Sequence, residues 1–217
     1  GASSEKDPSP SQRPTSNAAA ALAGEVVAGT SQTSVDQYVR GLSDPKESSA
    51  QQAARVVEEL AHQKPELLAP HIERLVALLG NERARIAQAA AHVLPVLARV
   101  APAKVAKHLK TLQASFGGAS EIAKDGLVRT FVALCIASVT YQKRLIDVFE
   151  AALRGADARQ LAGWVEHILP ALKGEPYAQA RAIAEQRLND PSLPRPVAQR
   201  VADLLGVKLR VAPAERK

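Results

Sequence analysis

The chain has 217 residues, a formal net charge of +6 and an apolar fraction of 46%, enough to build one elongated domain around a core. Aromatic residues make up only 3%, which argues against a β-rich fold, and no apolar run is long enough to span a membrane. The single cysteine, Cys135, excludes an intramolecular disulfide, and the absence of methionine reads as a processed piece of a longer chain, with Gly1-Ala2 left from its preparation.

Residues 1–33 read as a disordered Ser/Pro/Ala-rich tail. Pro8, Pro10 and Pro14 interrupt any helix, and the patch Ala18-Ala19-Ala20-Ala21-Leu22 is too short to hold one alone in water. From Ser34 the spacing turns helical. Val35, Tyr38, Val39 and Leu42 follow the one-face pattern, with Ser34 as the N-cap. Asp44-Pro45 ends this helix and opens the next.

Beyond that point the chain repeats itself. At an offset of 37 residues Ala54 meets Ala91, Val57 meets Leu94, Leu60 meets Leu97, Pro65 meets Pro102, His71 meets His108 and Gly80 meets Gly117. A further 37 residues carries Leu97 to Leu134 and Leu109 to Ile146. The run His92 to Leu97 returns as His167 to Leu172, one residue beyond two periods, so a loop has grown in between. Each unit holds two amphipathic stretches about a proline-containing turn. Ala53, Val56, Val57 and Leu60 form the first stripe of one unit; Leu68, Ile72, Leu75, Val76 and Leu79 form the second. Later units are expected at 85–100 with 102–116, 120–138 with 141–154, and 157–173 with 176–189, closed by a helix near 195–206. Such pairs cannot bury their apolar faces alone, so they stack into a solenoid with a continuous core. The expected organisation is a solenoid over 34–210 and a flexible C-terminus over 211–217.

Helix pairs with this register resemble HEAT repeats. That family tends to place a proline inside the first helix, as at Pro95 and Pro170. It also carries an acidic residue at the start of the unit, as at Asp44 and Asp190 with Asn81 a polar substitute, and then a basic one, as at Arg85 and Arg195. The third unit departs, with Gly117-Gly118 interrupting it and Val139 in place of the turn proline. The resemblance implies an all-α, right-handed α-solenoid of about four HEAT-like helix pairs with terminal capping helices. It also implies that the second helices line a concave, partner-binding face.

Lys107, Arg144 and Arg181 share one repeat position; with Lys104, Lys110 and Lys143 they make six candidate partner-binding residues, a strip that Arg187 and Arg200 would widen further. Such a strip suits an acidic segment of a protein partner, and the expected function is a non-enzymatic interaction scaffold using these six residues. The alternative is a nucleic-acid-binding module contacting the phosphate backbone, which would bind with strong salt dependence. A HEAT-like DNA glycosylase would pair aromatic residues with an aspartate, but one turn beyond Trp164, the only tryptophan, stands Ile168. No enzyme motif, cofactor fingerprint or metal-ligand spacing is found. The recurring pairs His71/His108 and His92/His167 follow repeat ancestry. Cys135, inside the apolar run Phe131 to Ala137, reads as a core residue. The expected location is intracellular.

Overall fold

The computed structural model describes residues 15–210. The readings for residues 1–14 and 211–217 lie outside the described residues. Every regular element among those described is helical: α1 (Thr15–Ala28), α2 (Val35–Gly41), α3 (Glu47–Gln63), a 3-10 stretch (Pro65–His71) leading into α4 (Ile72–Leu78), α5 (Ala84–Val100), α6 (Pro102–Ala106), α7 (Leu109–Ser115), α8 (Glu121–Ala137), α9 (Thr140–Gly155), α10 (Leu161–Ile168), α11 (Gly174–Arg187) and α12 (Arg195–Leu205). The chain is an α-solenoid. One row of helices runs α1, α3, α5, α8, α10, α12, each packed on the next, and the second helices of the pairs lie behind it.

The stripes read from the sequence become the core. Val56, Val57 and Leu60 of α3, Leu68 and Leu75 of the following helix, and Val105, Leu109 and Leu112 of the next unit are all buried. Phe131 of α8 meets Phe149 of α9 edge-on, with ring centroids 6.4 Å apart. Cys135 is buried in the same core, and burial pushes its thiol up to about 12.

Residues 15–28 correct the tail reading. They form α1, because α3 supplies the partner that an isolated short helix lacks. Ala19 and Ala23 are buried, and Gln63 Nε2 donates to Ala20 O at 3.0 Å. The small side chains that looked too weak to nucleate a helix are what let α1 seat closely. At α2, Ser34 Oγ accepts from Gln37 N at 3.1 Å while Gln37 Oε1 accepts from Ser34 N at 2.8 Å, a reciprocal capping box.

The unit starts share a turn. Asp44, Asn81, Asp157 and Asp190 each accept, through a side-chain oxygen, from the backbone N–H two residues on, at 2.8–2.9 Å. Where Gly118 stands in the third unit, Ser120 takes over and caps α8, accepting from Ala123 N at 3.2 Å. Two arginines then fasten units together. Arg83 donates to the carbonyls of Asp44 (2.5 Å) and Pro45 (2.7 Å). Arg187 donates to those of Leu153 (2.7 Å) and Ala156 (2.9 Å) at the end of α9. Arg85, read as the basic position, instead pairs with Glu58 across α3 and α5, and Arg195 is exposed.

The proline positions differ in effect. Pro95 is buried within α5, whereas Pro170 sits in the 3-10 turn Leu169–Ala171 that ends α10. The second helices of two units break at equivalent residues. His71 (φ −108°, ψ 13°) and His108 (φ −101°, ψ 13°) hold the same kinked backbone, which accounts for their recurrence. Where Val139 replaces the turn proline, the second helix runs unbroken as α9. The closest approach in the first row is between α5 and α8. There a Cβ on Gly126 would lie 2.6–2.7 Å from the Cβ, Cα and O of Ala91.

Candidate functional site

Among the described residues, grooves open along both rows of helices. A groove of about 690 Å³ crosses α3, α5, α8 and α10, so the first helices line it rather than the second. Its floor is small and apolar, with Ala61, Ala91, Pro95 and Gly126, and its walls carry both charges. Most of those charges are paired: His92 Nδ1 with Glu58 at 3.1 Å, Arg129 with Asp125 at 2.9 Å and Arg159 with Glu121 at 3.2 Å. A second recess, of about 530 Å³, lies between α4 and α7 and is lined by Glu73, Asn81, His108 and Ser120 among others.

None of the six expected cations lines either groove. Small side chains draw the first helices together beneath the larger groove, and the cations stand on the other row.

Lys104 lies on α6, Lys107 at its C-terminus, Lys110 on α7, and Lys143 and Arg144 in the first turns of α9. All five are exposed, and among the described residues none forms an ion pair. Gln113 Nε2 donates to Arg144 O at 2.6 Å, and Lys110 lies one turn before Gln113, so the cations of α7 and α9 share a border. α6 and α7 carry no carboxylate; on α9 the exposed Asp147 stands one turn beyond Lys143 and Arg144 and forms an ion pair with neither.

Arg181 is separate from this group. It is half-buried and its guanidinium is committed: Nη2 donates to Leu205 O at 2.7 Å and Nε to Glu185 at 2.9 Å. It satisfies the C-terminus of α12, which the 37-residue register could not reveal because the acceptor is a main-chain carbonyl 24 residues away. The line of equivalent cations therefore ends at α9.

Trp164 has a carboxylate beside it after all. Asp125 Oδ1 accepts from Trp164 Nε1 at 2.9 Å, across 39 residues of sequence. The Trp164 ring is buried against Phe116, with centroids 6.3 Å apart, and the other oxygen of Asp125 takes Arg129. Both oxygens are engaged, and the pair braces α8 to α10.

Among the described residues no His, Cys, Asp or Glu cluster has metal-site geometry. No helix there is long and apolar enough to cross a membrane.

Solved structures with the same architecture are designed helical repeats. A computationally designed armadillo repeat protein for modular peptide recognition aligns with a TM-score of 0.60 at 18% identity, covering 89% of this chain and 90% of that one. Another designed armadillo repeat protein gives 0.58 at 18% identity, covering 91% and 94%. An engineered protein gives 0.58 at 17% identity, covering 89% and 88%. The likeness is one of fold, an armadillo-like helical-repeat solenoid, which agrees with the expected α-solenoid without singling out HEAT repeats. No family model and no curated protein sequence matches the chain.

Proposed function

We propose that this chain is a non-enzymatic scaffold of HEAT-like repeats that holds an acidic segment of a protein partner on the strip formed by Lys104, Lys107, Lys110, Lys143 and Arg144. One observation carries the reading: these cations are exposed, none forms an ion pair among the described residues, and the two helices that hold three of them, α6 and α7, carry no carboxylate. Surface cations in a helical protein are ordinarily interleaved with acids that offset them. A run this unbalanced repels itself and gains most from an acidic ligand. The designed repeat protein for peptide recognition lends the fold-level precedent.

The test uses a fluorescent glutamate-rich peptide and the intact chain. Binding that weakens with salt and disappears in Lys107→Glu/Arg144→Glu supports the reading. Binding undiminished in that double variant overturns it. Duplex DNA in the same titration separates the alternative. Trp164, Phe116, Phe131 and Phe149 are all buried, so these side chains offer no platform for stacking bases. DNA binding without peptide binding would reassign the strip.

A further inference from the structure

The turn between α8 and α9 exposes two large aliphatic side chains. Ile136 is 71% exposed and Val139 is 62% exposed, while Cys135 just before them is buried. Scattered exposed aliphatics are common and mean little singly. These two are not scattered. They border one recess of about 490 Å³, together with Pro170, Ala171 and Lys173 from the turn between α10 and α11. Gln142 fixes its wall, because its buried side chain accepts from Lys173 N at 2.9 Å and ties the two turns together.

The recess adjoins the basic strip. Lys143 sits one turn beyond Val139 on α9, with Arg144 beside it, and Lys173 contributes a further exposed cation to the rim. Asp147 follows one turn beyond Lys143 on α9, and among the described residues Lys143, Arg144 and Lys173 form no ion pair. Apolar surface, a concavity and three unpaired cations therefore meet at one edge of the solenoid. A flat anionic surface would use the charge and the projecting aliphatics but leave the concavity empty. A side chain flanked by carboxylates uses all three.

Resting on the scaffold reading above, we infer that the partner segment is acidic and carries one bulky apolar residue, which seats in the notch between Ile136, Val139 and Pro170 while its carboxylates face Lys143, Arg144 and Lys173. The cations would supply attraction and orientation, and the notch would supply discrimination by burying one aliphatic or aromatic group.

The experiment compares two labelled glutamate-rich peptides, identical except for a central leucine or a central serine, by fluorescence anisotropy on the intact chain. The leucine peptide should bind about tenfold more tightly, the effect of burying part of one aliphatic side chain. Ile136→Ser/Val139→Ser should bring its affinity down to that of the serine peptide. Both residues are exposed, so the double variant keeps its core. Equal affinity of the two peptides for the parent chain overturns the notch but leaves the basic-strip reading standing. Failure of both peptides to bind overturns the strip reading and the notch with it. A third arm adds vesicles of phosphatidylserine and phosphatidylcholine. Vesicle binding that is lost in the serine double variant, without any leucine preference among peptides, assigns this edge to a membrane surface and overturns the inference.

Discussion

Substituting Gly126 by alanine tests how closely the first row is packed. The new methyl carbon would lie 2.6 Å from Ala91 Cβ and 2.7 Å from its Cα and O. Ordinary carbon–carbon contact is about 3.5–4.0 Å, so roughly 1 Å of separation is required. The obstructing atoms belong to the backbone and Cβ of α5 and have no rotamer to change. Only movement of α5 against α8 relieves the overlap, at a typical cost of about 1–3 kcal/mol or more. Removing a helical glycine returns about 0.8–1 kcal/mol. The expected net loss is thus about 1 kcal/mol, and up to about 2 kcal/mol where α5 cannot shift.

Gly163 is the control. It lies within α10, the next helix of the first row, and a Cβ there would have nothing within 4 Å. Gly163→Ala should stabilise by about 0.5–1 kcal/mol. Urea unfolding followed by far-UV circular dichroism reads both as shifts of the midpoint at unchanged slope. Opposite shifts are expected. If Gly126→Ala unfolds at or above the parent midpoint, the close approach of α5 and α8 is not real.

Three other outcomes follow from packing and hydrogen bonding. Arg187→Ala should destabilise by about 2–3 kcal/mol, because charge-assisted hydrogen bonds to the carbonyls closing α9 are lost, and Arg187→Lys should restore little, having no planar fork; thermal unfolding decides, and an unchanged Tm for Arg187→Ala refutes the bracket. Ala23→Asp should strip α1 from α3, at a cost of about 2 kcal/mol or more for an unpaired charge, and hydrogen exchange should then accelerate across 15–28; unchanged protection there would refute the docking. Cys135 should resist alkylation at pH 8 in the folded chain and react fully in denaturant. Its raised folded value also sets a sign: the neutral thiol's contribution to stability is intact below the ordinary value of 9.0 and is lost as pH rises toward about 12, so Cys135→Ala should flatten the alkaline decline in that window.

The helix pairs were legible because their information is local. The stripe Val56, Val57, Leu60, the cap at Ser34 and the turn prolines act within a few residues, and the 37-residue register multiplied the signal. The site was less legible, because its chemistry depends on partners far along the chain. Arg181 looked equivalent to Lys107 and Arg144 until the end of α12 supplied an acceptor. Asp125 was invisible beside Trp164, since only the stacking of α8 on α10 brings them together. The seating of α1 depended on a docking surface that its own residues do not encode. The kinks at His71 and His108 left a trace, the recurring histidines, but recurrence does not specify backbone angles.

The arginine brackets have a consequence for how such units might be exchanged. Arg83 and Arg187 grip main-chain carbonyls, so the receiving side of each junction demands no particular side chain. Substitutions at Leu153, Arg154 or Ala156 leave the acceptors in place, whereas the donor is a single irreplaceable residue. A junction of this kind is portable. A unit bringing its own arginine could be grafted after any helix that ends at the same height. The receiving partner would carry no mark of the joint in its sequence.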